Sequence, residues 1–289
     1  MKRKEYTMDL AIQTYQAWQQ LGMDGALCAI KEAGFDGVDL SFYYDASAAL
    51  LGDDYREKAF EIKEALEKYS LRCSQAHAPI ECWYGMPFDD SAEPYLRLKR
   101  CIESCSIIGI DHVVIEGTEC PHPHASLQNM EYNYGFYKSL EPVLEKWNVV
   151  CGIENLRKSF TYPDLCNEII RRLDSPYFRL VFDVGHSWVR ADMQPGEFVR
   201  ELDPGIICGL HVHDTFGIRG GVDGHLMPWM CEIDYDDLVK ALREYGYSGD
   251  MTLENSAFMR IYAAHDLLKP ALSFSEAVGR KLISSFLNA

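Results

Sequence analysis

The sequence predicts an α/β protein folded as a single (β/α)8 barrel. Three observations carry this expectation. Eight short apolar runs alternate with longer segments of helical period along the 289 residues. Several runs are apolar at nearly every position, as in Val149-Val150-Cys151-Gly152-Ile153, which is how a parallel strand covered on both faces reads. No Gly-x-Gly-x-x-Gly follows the first run, which disfavours the doubly wound open sheet.

In chain order the expected strands are Leu10 to Thr14, Gly37 to Ser41, Cys73 to His77 and His112 to Glu116. Val149 to Glu154, Phe178 to Asp183, Ile206 to His213 and Asp250 to Glu254 complete the eight. Between them, Asp54 to Tyr69, Pro94 to Ile108, Tyr132 to Trp147 and Tyr235 to Tyr245 are amphipathic. In the last segment Leu238, Leu242 and Tyr245 share one helical face. An internal echo supports the repeat. Glu32-Ala33-Gly34-Phe35-Asp36-Gly37 resembles Glu244-Tyr245-Gly246-Tyr247-Ser248-Gly249, and Ile108-Gly109-Ile110-Asp111 does the same work. In each, a helix stops at glycine and the chain turns into a strand. No Pro-, Gly- or Ser-rich linker divides the chain, so residues 1–289 read as one domain.

Composition narrows the partners. With 28 basic and 44 acidic side chains the net charge is −16, which repels phosphate backbones and anionic headgroups. Neither nucleic acid nor a membrane is expected as a partner; a homo-oligomer is compatible with everything in the sequence. No run approaches a transmembrane length, and Met1-Lys2-Arg3-Lys4-Glu5-Tyr6 leads into no apolar signal segment. The ten cysteines include no Cys-x-x-Cys pair, and Cys151 and Cys208 sit in apolar runs as small buried hydrophobes. A reduced, cytoplasmic protein is expected.

The polar residues fall where packing does not require them. Asp39, His77, Glu116, Glu154, Asp183 and Glu254 each close a strand, and His211 and His213 alternate along another. One such acid is ordinarily a cap; a set at equivalent positions converges at one barrel mouth. Converging carboxylates cannot all stay ionised without compensation, and a divalent cation supplies it. Glu, Asp and His without thiolate suit Mn, Mg, Co or Zn.

Gly152-Ile153-Glu154-Asn155-Leu156, Phe182-Asp183-Val184-Gly185-His186, His211-Val212-His213-Asp214, Asp223-Gly224-His225 and Thr252-Leu253-Glu254 occur in a recognisable order. This ordered set resembles the xylose isomerase-like TIM-barrel superfamily, over nearly the whole chain. The resemblance implies one divalent metal ion on Glu154, Asp183, His211 and Glu254, with Glu154 and Glu254 as base and acid in either order. His211 and His213 point the same way, and the superfamily's spacing of a ligand His and an acid three residues later is met by His211 with Asp214; His213 stays open as the alternative ligand. His186 resembles the histidine that the sugar enzymes aim at substrate oxygens. His77, His225, Asp223, Arg219 and Trp188 are the further residues expected around a small sugar or polyol, Arg219 gripping a hydroxyl or phosphate and Trp188 stacking on the ring.

The implied activity is a metal-dependent isomerase or epimerase of a sugar or sugar phosphate, moving a proton through an enediolate. Two alternatives remain open: an endonuclease-like multi-metal phosphodiesterase, to which His77, His186, Asp223 and His225 would contribute ligands, and a barrel that binds a sugar without turning it over. Glu116 stands where the endonuclease branch has histidine, and Arg157, Lys158, Arg190 and Arg219 are the few cations near the mouth. The superfamily's Pro-Gly-x-Gly is replaced by Met227-Pro228-Trp229-Met230-Cys231, so that loop is expected to be bulkier and more apolar.

Overall fold

Eight parallel strands close into one barrel in a computed structural model that describes residues 8–43, 49–80, 91–117, 125–156, 160–216 and 221–289. The strands are β1 (Leu10–Gln13), β2 (Gly37–Ser41), β3 (Arg72–His77), β4 (His112–Val114), β5 (Val150–Glu154), β6 (Phe178–Asp183), β7 (Ile207–His211) and β8 (Met251–Leu253). Each pairs with its neighbour in sequence, and β1 also pairs with β8. The last seam, between β7 and β8, is closed just past the end of β7: Val212 N donates to Thr252 O (2.8 Å) and Glu254 N to Val212 O (3.0 Å). The (β/α)8 expectation therefore holds, with strand limits moved by at most two residues.

The helices that follow are α1 (Tyr15–Ala33), α2 (Tyr55–Tyr69), α3 (Glu93–Ile108), α4 (Ala125–Trp147), α5 (Pro163–Leu173), α6 (Val184–Val189), α7 (Pro195–Glu201), α8 (Tyr235–Tyr245), α9 (Ser256–Ala263) and α10 (Leu268–Asn288). Gly34 and Gly246 end α1 and α8 in the left-handed region (φ 106° and 83°), as the repeated sequence predicts. The α4 helix starts seven residues ahead of the expected Tyr132, and its added turns include the buried Asn129 and Met130. Between barrel and helices lies the main apolar core, where Tyr137 meets Phe160 and Phe178 at ring separations of 6.2 and 6.1 Å.

The lumen is unusual in being polar. Gln13, Asp39, Gln75 and His112 are register partners across β1 to β4 and are all buried. Barrel interiors are ordinarily filled by branched aliphatics. Gly209 on β7 leaves the room this row needs, since a Cβ there would run into Gln75 and His112. A cavity of about 420 Å³ opens at the strand N-termini, bordered by Arg72, His112, Arg179 and Cys208. Cys151 is buried as expected, whereas Cys208 is only half-buried, because it borders that cavity. The eight cysteines among the described residues are all free thiols. No helix among the described residues is long and apolar enough to cross a membrane.

Gly209→Ala adds a methyl to a filled space and is expected to lower stability by about 1–3 kcal/mol in chemical denaturation. An unchanged midpoint would show that the lumen has slack.

Candidate functional site

Four side chains meet at the C-terminal mouth of the barrel. Glu154, Asp183 and His211 are the last residues of β5, β6 and β7, and Glu254 follows β8. One ligand atom from each lies within 4.8 Å of all the others. His211 is the hub: its Nδ1 faces Glu154 Oε1 at 2.9 Å, Glu254 Oε2 at 3.3 Å and Asp183 Oδ2 at 4.0 Å. All four are buried. Burial opposes the His211 imidazolium, yet Glu254, Asp39 and Glu154 outweigh it and hold its pKa well above the usual range. Burial likewise pushes Glu154 up, but His211 more than offsets this and keeps it low. Glu254 stays raised, through burial and the neighbouring Glu154 and Asp183 charges.

The support around this group includes residues that sequence reasoning did not assign to the site. Gln13 donates from Nε2 to Glu254 Oε1 (2.8 Å) and to the hydroxyl of Tyr43. Asp39 accepts from Gln75 Nε2 (2.8 Å) and faces His211 Nε2 (3.0 Å). Asn155 brackets Asp183, donating to its carbonyl (2.8 Å) and accepting from its N–H (2.5 Å). The sequence has Asp39 close its strand with the other acids, but β2 runs on through Ser41 and leaves Asp39 mid-strand in the lumen, beneath the mouth.

A second group lies beside the first: His186, His213, Asp223 and His225. The Asp183-x-x-His186 spacing has a direct physical origin. Asp183 caps α6, its Oδ1 accepting the His186 N–H at 2.7 Å, so the acid that joins the first group also fixes the histidine of the second. His186 Nε2 meets Asp223 Oδ2 at 2.6 Å, while its Nδ1 lies 3.7 Å from Glu154 Oε1. His213 Nε2 sits 3.1 Å from both Asp183 oxygens and its ring stacks on His225 at 4.2 Å. His211 and His213 thus both face the mouth, His211 in the first group and His213 in the second. Burial works against charge on His186 and His225, but Asp183 and Asp223 around the first, and Glu254 and Asp223 around the second, raise each to about 9.

Asp214, the acid three residues after His211, does not touch it. Its oxygens accept the N–H groups of Thr215 (2.9 Å) and Cys231 (2.9 Å), and its backbone pairs with Leu226. Asp214 thereby latches the loop that carries Asp223 and His225. A third group joins His77, Glu116 and Glu154, with His77 lying parallel to His211 at a ring separation of 5.8 Å. Trp188 packs partly buried against the apolar core, and its indole N–H has no partner among the described residues. Met227 is buried and accepts from Asn255, and Trp229 leans on Tyr235 at 5.5 Å, so both pack on the barrel. Arg219, Arg157, Lys158 and the aromatics Trp83 and Tyr84 lie outside the described residues.

The donor set fits a divalent cation. Three carboxylates and one imidazole converge, and Glu254 Oε2 is buried with no hydrogen-bond partner, as are His186 Nδ1 and Asp223 Oδ1 next to it. Such atoms are costly to bury unmatched, and a cation coordinated by oxygen and nitrogen removes that cost.

A model of the xylose isomerase-like TIM-barrel family matches residues 27–277. The chain is 28% identical over 160 residues to an uncharacterized protein of Methanocaldococcus jannaschii, the match covering 53% of each chain and so about half the length of that relative. Its backbone superimposes on the IolI protein crystallised with a zinc atom, with a TM-score of 0.79, 17% identity, and coverage of 96% of this chain and 99% of the other. A D-tagatose 3-epimerase-like protein gives a TM-score of 0.73 at 20% identity, covering 93% of this chain and 99% of that one.

The histidine shifts set a pH dependence for metal-free protein. His186 and His225 are at about 9 when folded against an ordinary 6.5, so folding takes up protons. Their contribution is complete below the ordinary value and is lost as pH rises through about 9. Melting of chelator-treated protein should therefore move to lower temperature between about pH 6.5 and 10. A melting temperature that is flat or rises over that range would show that these ion pairs do not form.

Proposed function

The chain belongs to the xylose isomerase-like TIM-barrel family, and on that premise we propose that it is a sugar or sugar-phosphate isomerase or epimerase using one divalent cation on Glu154, Asp183, His211 and Glu254. The observation that carries this reading is the convergence of those four side chains within 4.8 Å at the mouth. The zinc in the IolI structure and the epimerase likeness of the second neighbour support it.

The chemistry such a cation supplies is Lewis acidity, which polarises a carbonyl beside the reacting carbon and eases enediolate formation. This chain's own side chains do the rest. Glu154 and Glu254 reach the same spot from β5 and from the end of β8. One takes the proton from the carbon and the other returns it, in either order, a contribution of about 10²–10⁴-fold for each acid or base. Delivery to the opposite face inverts the carbon; delivery to the adjacent carbon isomerises the sugar. His186, held protonated by Asp183 and Asp223, presents the N–H of an otherwise unpartnered Nδ1 to a substrate oxygen. Asp223 fixes that ring and, with His225 and His77, lines the way to it. Trp188, whose indole N–H has no partner among the described residues, remains a candidate contact for the sugar. The free thiols among the described residues fit a reducing, cytoplasmic setting.

A second reading is favoured by one feature. Three adjoining ligand groups, rather than one, share this mouth, as a hydrolase of phosphodiesters with several metals would need. Metal content separates the two: one tightly held ion per chain supports the isomerase, three support the hydrolase, and none overturns both.

Chelation at about pH 7–8 should lower the melting temperature, and excess Mn or Zn should restore it, adding about 2.7 kcal/mol of stability at a hundredfold excess over the dissociation constant. The restoration should shrink toward about pH 5, where protons compete for the ligands. Glu154→Gln should keep the circular dichroism of the parent, weaken Mn binding, and reduce ketose or aldose turnover by at least about 10²-fold. Full activity in that variant would remove Glu154 from the site.

A further inference from the structure

His211 is gripped on both edges of its ring. Its Nδ1 faces Glu154 Oε1 (2.9 Å) and Glu254 Oε2 (3.3 Å), and its Nε2 faces Asp39 Oδ2 (3.0 Å). Which nitrogen keeps a proton when the other binds a cation depends on the partner at that second nitrogen. The lumen fixes the answer. Gln75 Nε2 lies 2.8 Å from the same Asp39 oxygen and 3.4 Å from Leu210 O, both acceptors, while Gln75 Oε1 faces His112 Nε2 at 2.9 Å. Only one amide orientation satisfies these contacts, so Gln75 donates toward Asp39. Asp39 then accepts from both sides. The proton on His211 Nε2 is held, and Nδ1 is the edge that can lose its proton to solvent and take a cation in its place.

We propose that Asp39 is a positioning residue of the metal centre: it locks His211 with Nε2 protonated and Nδ1 turned into the Glu154, Asp183 and Glu254 group, and is itself held by Gln75 and His112. The inference rests on the metal site proposed above. It explains why a barrel lumen contains a fully buried acid at all. Asp39 is 0% exposed, its other oxygen has no partner, and it occupies a position where an aliphatic side chain would pack without that cost. It also explains the glycine at 209, whose missing side chain admits the Gln75–His112 pair that orients Asp39. A carboxylate behind a ligating imidazole sets ring orientation and raises ligand basicity.

The test uses the full-length protein, zinc alone as probe, and Asp39→Asn, which keeps the shape and removes the charge. Calorimetric titration should show zinc affinity falling about 10–100-fold. Nitrogen-15 histidine spectra of the zinc-loaded parent should show His211 coordinated through Nδ1, with a slowly exchanging Nε2 proton far downfield that moves upfield in the variant. A purely structural role for Asp39 would lower the melting temperature and leave the affinity of folded protein unchanged. Parental zinc affinity in the variant, or coordination through Nε2, overturns the proposal and leaves the metal reading standing. A parent that binds no zinc, Mn or Co overturns the metal reading first, and this one with it. Should Asp39→Asn fail to fold, the spectra of the parent alone decide which nitrogen is protonated.

Discussion

Electrostatic repulsion among Glu154, Asp183 and Glu254 is the constraint around which the mouth is built. Three buried carboxylates share one spot with a single imidazole between them. Two carboxylates about 4 Å apart repel by roughly 4 kcal/mol at an effective dielectric of 20. The surrounding residues all act to reduce this. His211 is placed to touch all three acids, and Gln13 donates to Glu254 from the neighbouring strand. Beyond them His186, His213 and His225 alternate with Asp183 and Asp223, so both of these acids have an imidazole beside them. Charge alternates outward from the lumen, and the acids are densest where Glu154, Asp183 and Glu254 meet.

The backbone makes this alternation affordable by letting single residues serve twice. Asp183 ends β6, caps α6 and faces His213, so one side chain fixes the position of two histidines. Asp214 stays out of the ligand groups and instead ties Thr215, Leu226 and Cys231 together, which carries Asp223 and His225 over the mouth. The candidate ligand side chains therefore sit at strand ends or on loops anchored to them, where the barrel sets their positions.

Much of this was legible in the sequence because parallel strands buried on both faces leave long apolar runs that stop abruptly at a polar residue. The strand-end acids and His211 were visible for that reason, and so was the pairing of Asp183 with His186, which is a local capping geometry. The supporting residues were not. Gln13, Asp39, Gln75 and His112 come together through register between strands, across separations of 26 to 37 residues, and no local spacing encodes register. The three-residue spacing pointed to His211 by way of Asp214, yet the acid on its Nε2 is Asp39, 172 residues away. Helix limits were blurred where buried polar residues open a helix, as at the start of α4, since Asn129 carries no apolar signal.

The central claim is that Glu154, Asp183, His211 and Glu254 jointly hold a divalent cation. An anomalous difference map from crystals grown with zinc and measured at the zinc edge tests it most directly. The account predicts a peak about 2.0–2.2 Å from one oxygen of each of the three acids and from His211 Nδ1. A map with no peak among these four side chains, or with density only at surface residues, would contradict it.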